Sequence, residues 1–256
     1  FLRSDARAAI SHCRHGIHLL NLQQGRSVVA SIFYHWSVLP FFQSVSVQSY
    51  PRLKDPGLSI NMSFENHTQA QEAIDWLSAR ALQLGQNGNA HRLAVGSTLR
   101  PSDHLTREQK ELTEALRAWS LAFSRLQQAT KPSSDTMARM LLLEMRWLVW
   151  KVYVSTCLEQ NEMIFDAYLG DFKRMLEISA YIQASKRRGL GHGSTLSLEM
   201  GHYTSVYFIV VNCRHLGMRL AALQMLKLAS QPREMIWNVA TFYAIGKHLI
   251  EIEHEM

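Results

Sequence analysis

The chain has 256 residues, enough to bury a core of its own. Hydrophobic residues make up 47% of it and charged residues 19%, which excludes an intrinsically disordered chain because such chains are poor in hydrophobic residues. The formal net charge of +6 is spread along the sequence, so it indicates only a weak attraction to polyanions such as nucleic acid or an anionic membrane surface.

The cysteine content indicates a reducing compartment. Cys13, Cys157 and Cys213 lie far apart, and an odd number without paired spacing suits neither a disulfide framework nor a zinc knuckle. We therefore expect an intracellular protein with no metal or cofactor in this chain. The sequence opens at Phe1 without an initiator methionine, so we also expect a fragment of a longer protein.

The first predicted helix covers residues 5–22, and a second apolar segment covers residues 26–42. His12, His15 and His18 share one side of the first helix, but steps of three residues spread the rings too widely for a metal site, so we interpret them as a solvated face. Polar residues interrupt the uncharged residues 27–51 too often for a bilayer span. We predict no membrane segment.

Apolar residues then recur at helical spacing from Ala70 to Leu84, after a capping box formed by Thr68 and Gln71. Residues 86–103 are rich in Gly, Asn and Ser, which predicts a mobile linker. A second capping box, Thr106 with Gln109, predicts that the next helix restarts at Thr106.

Residues 137–158 are apolar nearly all round, which is typical of a helix surrounded by other helices. We predict that this helix is central and that another follows over residues 161–185. Aromatic residues at helical spacing are most often core residues. The alternative is an apolar ligand cavity between this helix, residues 26–42 and the last two helices, lined by Trp147, Trp150, Tyr153, Trp36 and Phe208.

No motif of a serine hydrolase, a zinc protease, a paired-carboxylate enzyme or a dinucleotide-binding protein occurs in the sequence. The glycine cluster of residues 186–194 follows a predicted helix instead of a strand and lacks the spacing of a phosphate-binding loop, so we interpret it as a solvated loop. We therefore expect that the chain is not an enzyme.

Residues 206–237 read as an apolar helix, a break at residues 212–217, an amphipathic helix and a Ser-Gln-Pro stop before a last helix. With no alternating strand pattern, the whole chain is predicted to be all-α. We expect a single domain over residues 1–256, an irregular, helical-repeat-like array of about eight to ten helices with no substantial sheet.

The same stretch resembles the end of the C-terminal regulatory region of fungal transcription factors of the six-cysteine binuclear zinc cluster class. That region has a Cys-Arg-Asp-Pro turn, an Arg- and Leu-rich helix, a Pro-Arg-x-Glu-x-x-Trp element and a last helix with an acidic end, which Glu251 and Glu253 match. The residues that match its signature, and that we expect to be structural, are Cys213, Arg214, Arg219, Pro232, Arg233, Glu234 and Trp237.

The resemblance extends to residues 12–20, 39–49, 64–84 and 166–176, in the same order as in the family. The chain departs from the family pattern at Ser46 and Val47, where an Asp is usual before the Gln. It also has Thr204 and Ser205 in place of a proline pair, and the turn reads Cys-Arg-His-Leu.

The resemblance implies a nuclear regulatory domain that modulates transcription through protein partners, a homodimer or a hydrophobic effector. It implies that DNA binding and zinc belong to a module N-terminal to this chain, since no set of Cys and His here suits a zinc cluster. Two alternatives remain: a hydrophobic small-molecule receptor in the strict sense, and a helical scaffold or enzyme without a recognisable motif.

Overall fold

The computed structural model describes residues 62–93, 100–130, 134–187, 202–229, 233–234 and 237–254. The chain divides into two units, Phe1–Pro51 and Arg52–Met256, and every described residue belongs to the second. The single domain expected for residues 1–256 therefore stays a prediction. Outside the described residues lie the predicted helices of residues 5–22 and 26–42, the three-histidine face, Trp36 and residues 188–194 of the glycine cluster.

Seven α-helices occur in the described ranges: α1 His67–Leu93, α2 Asp103–Ala129, α3 Ser134–Thr156, α4 Leu169–Arg187, α5 His202–Asn212, α6 Leu216–Lys227 and α7 Val239–Glu253. A 3-10 helix, Glu162–Tyr168, leads into α4. The strands β1 Arg233–Glu234 and β2 Trp237–Asn238 form an antiparallel ladder of two residues each. The predicted all-α class is confirmed.

Helix α3 is central, as its apolar sequence predicts, because it packs against α1, α2, α4 and α5. Its side chains Met145, Val152 and Val154 are fully buried. Helices α1, α2 and α3 contact one another in pairs, and so do α5, α6 and α7. Helices α3 and α4 join these two groups of three.

Side-chain hydrogen bonds to backbone carbonyls fix the first group of helices. The indole nitrogen of Trp119 on α2 donates to Ala70 O on α1 at 2.8 Å. Gln109 on the same helix donates to Val154 O on α3 at 2.7 Å. Helix α2 is thereby held to both of its neighbours.

The prediction of a linker over residues 86–103 is wrong at its start, because α1 continues without a break to Leu93. Two glycines near the end of α1 lie close to residues of α3 and of the turn that follows it. A Cβ at Gly85 would overlap the hydroxyl of Tyr153, and a Cβ at Gly88 would overlap Leu158. The glycines therefore allow close helix packing, which outweighs their low helix propensity.

Both predicted capping boxes are misplaced by a few residues. Helix α1 begins after Asn66, whose Oδ1 accepts from Gln69 N at 3.0 Å. Helix α2 begins after Ser102, whose Oγ accepts from Leu105 N at 3.4 Å. An earlier Asn or Ser supplies the cap in each case, and both residue types satisfy the unpaired N–H groups of a first turn well.

The helix predicted for residues 161–185 is present but begins as the 3-10 helix. Asn161 caps it, since its Oδ1 accepts from Met163 N at 2.9 Å. Helix α4 then packs on α3 through two ion pairs, Lys151 with Asp171 at 2.9 Å and Arg174 with Glu144 at 2.7 Å.

Candidate functional site

A turn of residues 213–215 joins α5 to α6, within the break predicted at residues 212–217. Asn212 ends α5, and its side chain donates to Phe208 O at 2.8 Å. His215 caps α6 because its Nδ1 accepts from Met218 N at 3.3 Å. The family pattern has Asp at this position, which is a preferred helix cap. His215 supplies the same kind of acceptor here.

Cys213 is a buried, free thiol at the start of this turn. Its N–H donates to Ile209 O at 2.9 Å, and its Sγ lies 3.9 Å from the sulfur of Met218. Burial raises the pKa of the thiol. The side chain is thus a packing residue held in its unreactive, protonated form.

Arg214, the next signature residue, points to the surface. Its Nη1 donates to Asp166 Oδ2 at 2.8 Å and also contacts the sulfur of Met163 on the 3-10 helix. Both charged side chains of this pair are about two-fifths exposed. An exposed ion pair of this kind contributes little to stability.

Arg219 on α6 is the buried cation of the signature, with 2% of its surface exposed. Its Nε donates to Val210 O at 2.8 Å, a carbonyl in the last turn of α5. Its Nη1 forms an ion pair with Glu253 at the end of α7. One side chain therefore joins α5, α6 and the acidic end of the last helix.

Three residues of the Pro-Arg-x-Glu-x-x-Trp pattern lie in the small ladder before α7. Arg233 pairs with Asn238 and Glu234 pairs with Trp237. Asn238 then caps α7, since its Oδ1 accepts from Ala240 N at 2.9 Å. Pro232 and the side chains of Arg233, Glu234 and Trp237 lie outside the described residues, so their expected structural role stays a prediction.

Four of the five residues predicted to line a ligand cavity lie on the described helices α3 and α5, and the cavity itself stays a prediction. Trp150 and Tyr153 are buried together on α3, with ring centroids 5.4 Å apart in an edge-on arrangement. Trp147 faces α2, where its Nε1 donates to Leu116 O at 2.9 Å. Phe208 on α5 lies 6.2 Å from the ring of Phe172 on α4.

Arg146 lies one helical turn before Trp150 on α3, and the sequence did not indicate it as a site residue. Only 6% of its surface is exposed, and its Nη2 forms an ion pair with Asp75 on α1. Its Nε and Nη1 have no hydrogen-bond partner in the described part of the chain, and neither does Nε1 of Trp150. The sequence offers no signal that separates Arg146 from the other charged residues of α3, such as Glu144 and Lys151.

Within the described ranges, no group of three or more His, Cys, Asp or Glu side chains is arranged to hold a metal ion. Nor is any described helix both long enough and apolar enough to span a membrane. Comparison with protein-family models, with curated proteins and with solved structures finds no match for this chain.

Proposed function

We propose that the chain is the regulatory and protein-interaction domain of a fungal binuclear zinc cluster transcription factor. In this role it modulates transcription in the nucleus through protein partners or a second copy of itself. DNA binding and zinc belong to a module N-terminal to Phe1. The domain itself carries no catalytic function.

The observation that carries this proposal is the position of Arg219. The signature residue Arg219 and the acidic end of the last helix are two parts of the resemblance, 34 residues apart, and they meet in the ion pair with Glu253. Two matching parts of the sequence are thus in contact in the fold, which supports the resemblance over a chance match of residues. Cys213 lies in the turn before α6 and is buried, as a structural signature residue should be.

The complete array in this proposal has eight to ten helices in an irregular, repeat-like arrangement. Seven helices are described, and the sequence predicts two more over residues 5–22 and 26–42.

A second function, reception of a hydrophobic effector, is favoured by one specific observation. Arg146 and Trp150, which are buried on α3, carry N–H donors that have no hydrogen-bond partner among the described residues. Small-molecule sites hold a few polar groups in mainly apolar surroundings. An effector that binds one conformation better than another would shift the equilibrium between them, so this function is compatible with the first.

Two observations test the proposed function. The encoded residues preceding Phe1 should contain a basic segment with six cysteines, and a preceding sequence without such a cluster would contradict the proposal. The 256-residue chain alone should bind DNA only with a weak, salt-sensitive affinity that is independent of sequence. A sequence-specific footprint from this chain would overturn it.

A further inference from the structure

Met163 is the most exposed methionine among the described residues, with 55% of its surface open to solvent. It is the second residue of the 3-10 helix, and its N–H donates to Asn161 Oδ1 at 2.9 Å. Two residues later, Phe165 is buried, with its ring 6.5 Å from that of Phe172 on α4. The backbone on both sides of Met163 is thus held in place, while its sulfur is open to small molecules in solution.

Other methionines of the described helices are protected. Met140, Met145 and Met175 each have at most 2% of their surface exposed. Oxidation of a sulfur-containing side chain depends on the access of the oxidant to the sulfur. A small oxidant such as hydrogen peroxide therefore reaches Met163 before it reaches the buried sulfurs.

The sulfur of Met163 contacts a guanidinium group. Its neighbour is Nη1 of Arg214, in the turn of residues 213–215 between α5 and α6. A thioether is a weak hydrogen-bond acceptor, so this contact contributes little while the sulfur is reduced. Asp166 Oδ2 accepts from the same Nη1 at 2.8 Å, and a guanidinium has five N–H donors in all.

Oxidation would change the chemistry of this contact. A sulfoxide makes the apolar methionine side chain polar, and its oxygen is a better acceptor than the thioether sulfur. Hydrogen bonds from a charged donor are stronger than those between neutral groups. A sulfoxide in a core disrupts packing, whereas the exposed position of Met163 leaves room for the added oxygen.

We propose that Met163 is a site of oxidation by hydrogen peroxide, and that Arg214 binds the oxygen of the resulting sulfoxide. The sulfur lone pair attacks one peroxide oxygen, so that an S–O bond forms as the O–O bond breaks. The other oxygen leaves as water after it takes up the proton of the transferred oxygen. The sulfur is oxidised by two electrons, and the peroxide is reduced by two.

The modification links two elements of the fold. The hydrogen bond from Arg214 to the sulfoxide would join the 3-10 helix more firmly to the turn before α6. The inference does not require a role in transcription. Both of its steps are measured on the chain itself, so its failure would leave the proposed regulatory function standing.

Peptide mass spectrometry of the folded 256-residue chain, treated with hydrogen peroxide, tests the first step. Met163 should gain oxygen on the order of tenfold faster than Met145 and Met175, because both of these are fully buried. In urea, which unfolds the chain, the three rates should become equal.

Urea denaturation before and after peroxide treatment tests the role of Arg214. Met163→Leu, which lacks the sulfur at this position, corrects for the oxidation of other methionines. Relative to this control, oxidation should lower the equilibrium constant of unfolding by about twofold to fivefold, the effect of one partly exposed hydrogen bond. The gain should disappear in Arg214→Ala and persist in part in Arg214→Lys, which keeps a cationic donor.

Two results would overturn the inference. The first is oxidation of Met163 at the same rate as Met175 in the folded chain. The second is an equal effect of Met163 oxidation on the stability of the unaltered chain and of Arg214→Ala, because the sulfoxide would then not be bound by the guanidinium.

Discussion

Arg214 and Arg219 lie five residues apart in one signature, but only Arg219 is buried. Arg219→Ala removes the donor to Val210 O, an end-of-helix carbonyl without an intrahelical partner, and leaves a void among three helices. We expect the free energy of unfolding to fall by about 3 kcal/mol. Urea denaturation measures this loss.

Arg214→Ala is the matched control, because it removes a nearby arginine, in the turn before α6, from an exposed ion pair with Asp166. Its expected cost is below about 1 kcal/mol. Equal losses for the two variants would show that Arg219 does not join the three helices in solution.

Cys157 gives a prediction for alkaline pH. Burial raises the pKa of its thiol from 9.0 to about 12, and the charge of Arg92 opposes this shift. The thiol of the unfolded chain ionises at lower pH than that of the folded chain, so its contribution to stability is complete below about pH 9 and is lost as the pH rises toward 12.

Cys157→Ala should therefore reduce the decline of the unfolding free energy above pH 9 by about 1.4 kcal/mol per pH unit. Denaturation midpoints at a series of alkaline pH values measure this slope. Tyr153 remains in the variant and maintains part of the decline, since burial raises its pKa also. An unchanged slope in Cys157→Ala would contradict the burial of this thiol.

At the scale of the helices, Gly85 tests the close packing of α1 on α3. Replacing a helical glycine by alanine ordinarily stabilises a helix by up to about 1 kcal/mol. Gly85→Ala should instead destabilise the protein by about 1–3 kcal/mol, because the new Cβ overlaps the Tyr153 hydroxyl. Thermal unfolding of Gly85→Ala and of its control, Gly170→Ala, measures the two changes in stability.

Gly170→Ala is the matched control on α4, since a Cβ there would meet nothing within 4 Å. It should leave stability unchanged or raise it by about 0.5 kcal/mol. Addition of Tyr153→Phe to Gly85→Ala should recover part of the loss, because it removes the overlapping oxygen. A stabilising Gly85→Ala variant would mean that α1 and α3 lie further apart.

The elements most accurately predicted were those whose signal is local. The apolar residues of α3 indicate a surrounded helix, and the break at residues 212–217 marks the end of α5 and the start of α6. The helical period ends at Leu84 in the sequence, but α1 continues through Gly85, because the neighbour of that glycine, Tyr153, lies far along the chain. Local propensity is a weak guide where such a tertiary contact decides the structure.

The candidate site was less predictable for the same reason. Asp75 and Arg146 are 71 residues apart, and nothing in the spacing of either residue indicates the other. The aromatic residues of α3 were recognised, but the bonded indole of Trp147 and the unpartnered one of Trp150, within the described residues, look alike in sequence. Only the positions of the neighbouring helices distinguish the two indoles.

In the unit of residues 52–256, two groups of three helices share α3 and α4 as their connection. Arg219 joins the three helices of the second group. The central helix α3 contacts helices of both groups.

A transcription reporter tests the central claim most directly. The 256-residue chain, fused to an unrelated DNA-binding module and an activation segment in fungal cells, should change reporter expression relative to the same fusion without it. The change should be lost in Arg219→Ala and kept in Arg214→Ala, with all fusions equally abundant in the nucleus. A folded, abundant fusion that leaves the reporter unaltered would contradict the proposed regulatory function.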